Sequence, residues 1–244
     1  MFGGWNVQPN LPHTPCLEPP TGTMGPPAAE PARLKERVSP YGAYGRSPDP
    51  PVLVIASGNA HKVAELTAML DAVGLEVRRQ PEGVEIEETG STYLENARLK
   101  ATAVAQLTGQ WALADDSGLE VDALGGAPGL YSARYAATDP ERIARLLQEL
   151  GDRPYRSASF NSAMVLANPA GEAVLEAQGI CRGEILLAPE GQGGGYDPLF
   201  WVREAGMTYA QMPAHLRLKL GSRGKAARAL APELKRLLRI GRGG

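Results

Sequence analysis

Residues 112–118 read ALADDSG, so two carboxylates, Asp115 and Asp116, directly follow a short apolar run. Adjacent like charges repel, and half-burying them is costly unless something pairs with them. A hard divalent cation such as Mg²⁺ takes carboxylate oxygens together with substrate phosphates. One carboxylate of the pair could also act as general base toward water. The plainer reading is a turn, for which Asp-Asp-Ser-Gly is ordinary chemistry. Ala112, Leu113 and Ala114 suit a buried strand, which sets both aspartates at its C-terminal end. Ligands of α/β sheets gather at that edge.

Four other stretches carry groups that could join this chemistry. IASGNAHK (55–62) reads as a strand, a small-residue turn and a helix start. Ser57, Gly58, Asn59, Ala60 and His61 would lie at a helix N-terminus, where backbone N–H groups attract anions, and Lys62 adds a cation. The alternative is a plain turn capped by Asn59. EIEETGSTYLENARLKA (85–101) clusters Glu85, Glu87 and Glu88 ahead of a helix bearing Glu95, Asn96 and Lys100. Asn96 and Lys100 are four apart and share a face; the alternative is a solvated acidic loop. GQGGGYDPLF (191–200) brings glycines, Gly194 and Gly195 among them, up to Tyr196 and Asp197. Such a loop lets backbone approach a ligand closely, or is simply mobile. RLKLGSRGKA (217–226) surrounds Gly221-Ser222 with Arg217, Lys219, Arg223 and Lys225 ahead of a helix. It reads as a phosphate site or as a solvated helix start. Arg134 could reach a phosphate or a surface carboxylate.

The elements that must hold these groups alternate. Strands are expected at 52–56, 75–79, 111–115, 155–169, 172–183 and 197–202. Helices are expected at 61–73, 91–109, 140–151 and 222–239, with Ser91 capping the second, Gly109 stopping it, and Pro232 interrupting the last. Strand–helix alternation followed by a hairpin at Pro169-Ala170-Gly171 implies an α/β protein with a mixed sheet. Residues 1–51 hold 12 of the 21 prolines and almost no apolar periodicity. They read as a disordered proline-rich extension or a mis-assigned start, with a short helix possible in AAEPARLKERV. The globular domain spans 52–240.

Bulk properties exclude several classes. A net charge of -2 over 244 residues gives no global pull toward nucleic acid. Two cysteines, Cys16 and Cys181, are too few for a disulfide framework. His13, His61 and His215 are scattered, against a histidine-based zinc site. No run of about 18 apolar residues suggests a membrane span, and the N-terminus lacks a secretory signal, so a cytoplasmic setting is expected.

In their order and wording, IASGNAHKVAEL, EETGSTYLENARLKA, ALADDSGLEVDALGGAPGLYSARYA, GGGYDPLF and SRGKA resemble the inosine triphosphate pyrophosphatase-like family, the dITP/XTP pyrophosphatases. The resemblance covers roughly residues 52–240. It implies a long mixed central sheet flanked by helices, two lobes with an active-site cleft between them, and a homodimer. It implies Mg²⁺-dependent hydrolysis of dITP, ITP and XTP at the α–β linkage, releasing monophosphate and pyrophosphate. On this resemblance Asp116 is the general base and a metal ligand. Glu87 helps hold Mg²⁺, with Glu88 the alternative. Ser57 to Lys62 and Lys100 meet the phosphates, Ser117 touches substrate, and Tyr196 and Asp197 lie near the base.

Three positions depart from the family's pattern, and two of them fall on base recognition. Gly194 stands where the family carries Phe in GFGYD. Ser222 stands for His in Ser-His-Arg. Arg217 replaces an expected lysine, keeping charge but not geometry. Trp201, Tyr209 or His215 could supply the missing contact. The phosphate and metal residues are kept, so the competing expectations are the same chemistry with a different or relaxed base preference and, from another class, a nucleotide-binding sensor.

Overall fold

The computed structural model describes residues 51–71 and 74–238. The expectations for residues 1–50 lie outside the described residues. One seven-stranded sheet runs through the domain: β1 Val52–Ile55, β2 Glu76–Arg79, β3 Trp111–Val121, β4 Ser157–Ala167, β5 Ala173–Ile185, β6 Phe200–Val202 and β7 Met207–Thr208. Their order is β2-β1-β3-β4-β5-β6-β7. β1 pairs in parallel with β2 and β3, and every later pair is antiparallel. The expected mixed sheet is therefore present, and β4–β5 turn through the expected hairpin, closed by Asn168 N–H to the Glu172 carbonyl at 2.9 Å.

Five helices complete the fold: α1 Ala60–Leu70, α2 Tyr93–Thr108, α3 Asp139–Leu150, α4 Ala214–Leu220 and α5 Ser222–Leu237. α1 starts because the Asn59 side chain accepts from His61 N at 2.9 Å and Lys62 N at 3.2 Å. α2 is capped by Thr92, not by Ser91: the Thr92 hydroxyl accepts from Glu95 N at 3.1 Å, while Ser91 bonds the Glu95 carboxylate. Gly109 ends α2 in the left-handed conformation, φ 63°. α5 runs through Pro232 without a break. Proline removes one backbone donor, but the face carrying Ala226, Ala227, Leu230 and Leu234 is buried and holds the helix in place. α4 and β7 were not expected from the sequence.

The sheet has an apolar layer on each face. On one, α2 lays Ala97, Ala101, Val104 and Ala105 over Val54, Ala56, Ala112, Ala114 and Val165. On the other, α1 and α5 bury Leu66, Leu70, Leu230 and Leu234 against Leu53, Ile55, Leu113 and Met164. A third cluster, containing Leu119, Val121, Leu146, Leu150 and Phe200, lies further along β3.

β3 is longer than expected. It does not stop at Asp115 but continues to Val121, paired with β4 from Ala112↔Ala167 to Val121↔Ala158. Its pairing with β1 ends at Ile55↔Leu113. Beyond that point one edge of β3 is released from β1 while the other stays in the ladder. Asp115 and Asp116 thus sit inside a strand, at the C-terminal edge of the parallel part of the sheet. Both are buried there, and Ser117 beside them lines an opening.

Because Thr92 is the cap that starts α2, Thr92→Ala should cost about 1 kcal/mol of folding stability in urea unfolding. Ser91→Ala, which removes an exposed hydroxyl contact, should cost about 0.5 kcal/mol or less.

Candidate active site

Successive side chains of a strand point to opposite faces. Asp116, Gly118 and Glu120 therefore face α2, while Asp115 and Ser117 face α1 and α5, and Leu119, on that same side, packs in the third cluster. The two aspartates do not share a site; each has its own partners.

Asp115 is buried at 2% exposure. Its Oδ2 lies 3.1 Å from Arg223 Nε and 3.3 Å from Lys62 Nζ, and accepts from Ser117 Oγ at 3.2 Å. Its Oδ1 is buried without a partner. Burial alone would push this carboxyl up, but Arg223, Lys62 and Lys100 outweigh it and hold the pKa down at about 2. Arg223 also pairs with Glu65 and donates to Ser117 Oγ at 2.9 Å. The first turn of α1, the start of α5 and the middle of β3 are joined through these contacts.

On the α2 face, Asp116 accepts from Asn96 Nδ2 at 3.2 Å and Lys100 Nζ at 3.0 Å. Asn96 is itself held, its Oδ1 accepting from Gly90 N at 2.8 Å. Lys100 Nζ also donates to Glu88 Oε1 at 2.9 Å and to the Asp115 carbonyl at 3.0 Å. Burial raises the Asp116 pKa, aided by repulsion from Glu88 and opposed by Lys100. Burial disfavours the Lys100 ammonium, yet Asp116 and Glu88 together raise its pKa. On Glu88, attraction from Lys100 and Arg134 overcomes burial and lowers the value. A lysine shared by two carboxylates only partly compensates the more buried one, which is why Asp116 moves up while its partner also moves up.

The family resemblance implied Glu87 as the metal holder, with Glu88 the alternative. The structure sets Glu88 against Lys100, and Glu87 is exposed with no ion pair or hydrogen bond to that group among the described residues. Glu88 also takes Arg134, at 3.1 Å, so this arginine meets a carboxylate. Glu85 is exposed, and Glu95 bonds Ser91 in the first turn of α2. Among the described residues, no three His, Cys, Asp or Glu side chains converge as a ready-made metal cage.

Next to the Asp115 network opens a cavity of about 860 Å³. Its walls include Asn59, His61, Lys62, Ser117, Gly194, Gly195, Tyr196, Asp197, Arg217, Ser222 and Arg223, so most of the expected binding residues do come together. Ser57, Gly58 and Ala60 belong to the adjoining loop and helix start; Lys100 and Asp116 lie across β3. The N-terminus of α1 is not open, because Asn59 caps it. Lys225 turns away to the Ile180 carbonyl at 3.0 Å.

Within the cavity, Tyr196 is buried and spends its hydroxyl on the Ser132 carbonyl at 3.1 Å. Burial, against the pull of Arg217, lifts the Asp197 carboxyl to about 6. Arg217 holds Asp197 Oδ2 at 3.4 Å and the Met212 and Ala210 carbonyls at 3.1 and 3.2 Å. Ser222 Oγ is 2.9 Å from Ser162 Oγ, both buried. A Cβ added at Gly194 would meet only Asp139 Oδ2, at 3.5 Å, so this wall has room for a side chain. Of Trp201, Tyr209 and His215, the last two line the cavity. Glu65 and Phe160 line it too and were missed from the sequence. Glu65 lies three residues after Lys62 on a helix, a spacing that shares a face, and that was the available signal.

The sequence pattern of the Ham1 family matches residues 53–233. The chain is 55% identical over 188 residues to a dITP/XTP pyrophosphatase of Synechococcus sp. (strain CC9311), covering 77% of this chain and 91% of that protein. It is 51% identical over 188 residues to a dITP/XTP pyrophosphatase of Nostoc sp., covering 77% of this chain and 96% of the relative. Among solved structures it resembles a HAM1 protein from Coxiella burnetii, with TM-score 0.70, 41% identity, and 76% of this chain and 99% of that one covered. The Ham1 protein of Staphylococcus aureus matches with TM-score 0.68 and 36% identity over 76% and 99% of the two chains.

The Asp115 network gives a pH signature. Its folded pKa of about 2 lies below the unfolded reference of 3.8, so the charged form adds stability above pH 4. That increment, about 2 kcal/mol, is lost as pH falls from roughly 4 to 2. Denaturant unfolding across this window should show the loss in wild type and a flatter profile in Asp115→Asn; identical slopes would contradict it.

Proposed function

This chain belongs to the Ham1 family, and from that membership we propose that it hydrolyses deaminated purine nucleoside triphosphates (dITP, ITP and XTP) to monophosphate and pyrophosphate, clearing them from the nucleotide pool. One observation carries the reading. A cation-lined cavity opens beside the released edge of β3, and a carboxylate with a raised pKa stands on the other face of that edge. The nucleoside fills the cavity and the phosphates cross the edge between Lys62 and Lys100.

In this reading Asp116 accepts the proton of the water that attacks the α-phosphorus. Its raised pKa makes it a better base than an ordinary surface carboxylate. Asn96 and Lys100 fix its two oxygens, so the carboxylate is oriented before substrate arrives. Lys62 and Lys100 stabilise negative charge on the departing pyrophosphate. Arg223, held by Asp115 and Glu65, and Arg217, held by Asp197, stand ready in the cavity wall.

Mg²⁺ is part of the proposal. Glu88 and Asp116 would hold it: both offer hard oxygen donors, and both already converge on one cation, the Lys100 ammonium, at 2.9 and 3.0 Å. A site of one or two carboxylates completed by substrate phosphates suits this ion. When bound it would neutralise phosphate charge and polarise the scissile linkage. Homodimer assembly belongs to the same proposal and rests on the family resemblance; the cytoplasmic setting expected above is proposed with it. Among the described residues, no helix is long and apolar enough to cross a membrane.

The open wall at Gly194 favours a second reading for the base alone. Absence of a stacking ring weakens base binding by roughly 1–3 kcal/mol, which relaxes preference without abolishing turnover.

Pyrophosphate release with Mg²⁺ from dITP, ITP, XTP, dGTP, dATP and dTTP tests both. Turnover concentrated on the first three is expected; rates spread over all six would favour the relaxed reading, and none on any would refute the activity. In the same assay, Glu88→Gln should raise the Mg²⁺ needed for half-maximal rate by about tenfold or more. Glu87→Gln should shift it by less than about twofold, since an exposed side chain outside the cluster has little to lose.

A further inference from the structure

Three cations lie on the α1 face of the sheet: Arg223 and Lys62, whose charged groups meet at Asp115 Oδ2 over β3, and Arg79 at the end of β2. Arg223 is paired with Asp115 and Glu65, and Lys62 with Asp115. Arg79 differs. Register pairs it with Ile55, so it stands level with the end of β1, and its side chain shares the face of Ile55 and α1. Its Nη2 donates to the Gly58 carbonyl at 2.5 Å, within the loop leading into α1. Among the described residues no carboxylate pairs with it. A guanidinium has five N–H donors, so most of this one stays unused, on a side chain already tethered beside the proposed phosphate path.

We propose that Arg79 binds the terminal phosphate of the substrate and sets the preference for triphosphates over diphosphates. The inference rests on the function proposed above and deepens it. With the nucleoside in the cavity, the phosphate chain runs from β3 toward β2, and the strand order makes Arg79 the last cation reached. A diphosphate ends short of it. The tether lowers the entropy lost on binding, and the planar fork matches phosphate oxygens in pairs. A mere brace for the 57–59 loop would support tri- and diphosphates equally, and this difference separates the two roles.

The test compares Arg79→Ala and Arg79→Lys with wild type, each folded by circular dichroism. IMP release gives kcat/KM for ITP and for IDP. Arg79→Ala should lower the ITP value about tenfold through KM, the scale of a lost charge-assisted contact, and leave IDP within about twofold. Arg79→Lys should recover part of the loss. Equal losses on ITP and IDP, or none on either, would overturn the proposal. Calorimetric binding of ITP and IDP to Asp116→Asn, with and without Arg79→Ala, reads the same ratio without turnover. Wild type that binds ITP but releases no pyrophosphate would refute the hydrolase reading, while this ratio would still decide the role of Arg79.

Discussion

The domain depends on one constraint: β3 outlasts β1. Where β1 stops at Ile55, β3 continues for eight residues beyond their last paired position, Leu113, laddered to β4 on one edge and met on the other near its end, where Leu119 N donates to Ser132 Oγ and Glu120 bridges Pro128. That mismatch releases one strand edge in the middle of a sheet, beside the cavity that Ser117, Gly118 and Leu119 line. The alternation of side chains then divides two neighbouring aspartates. Their repulsion, costly in a turn or a shared pocket, is relieved because Arg223 and Lys62 meet the Asp115 carboxylate while Lys100 meets that of Asp116 and acts on both. The proposed phosphate path, the cavity and the carboxylate with the raised pKa all lie along this edge.

On the proposed function, the division also separates stability from chemistry. Asp115 is almost fully buried and ties α1 and α5 to β3 through Lys62 and Arg223. Removing one partner of such a buried group leaves an uncompensated charge, the costly case. Asp116 is held less favourably. Its ammonium partner is shared with Glu88, and burial wins. A carboxylate kept in a state its surroundings disfavour is what proton transfer requires, and such groups gather at functional sites. Gly118, two residues on, has a structural reason of its own: a Cβ there would run into the Gly129 carbonyl and the Tyr93 hydroxyl.

Much of this was legible in the sequence. The alternation of apolar runs and helical periods exposed the mixed sheet, and the helix-start residues around Ser57–Lys62 and Ser222–Arg223 pointed to the cavity. What failed did so for physical reasons. β3 seemed to end at Asp115 because DDSG is as good a turn as it is a strand beside an opening, and pairing with β4 decided between them. Ser91 and Thr92 are both competent caps; backbone geometry chose Thr92. Glu87 and Glu88 are chemically identical and stayed open as alternatives, because which one faces Lys100 depends on a loop with no periodicity to read. Glu65 was hidden because its partner, Arg223, lies 158 residues away. The interaction that locates the arginine is long-range, and a single sequence does not display it.

The most direct measurement compares Asp115→Asn and Asp116→Asn side by side, scoring thermal unfolding at neutral pH and pyrophosphate release from ITP. The division of labour between the two faces requires crossed outcomes. Asp116→Asn should keep or raise Tm and lose turnover, because amide replaces a carboxylate that folding disfavours. Asp115→Asn should lower Tm, because Arg223 and Lys62 lose their shared counter-charge. Parallel losses of stability and turnover in both variants, or the reverse crossing, would contradict it.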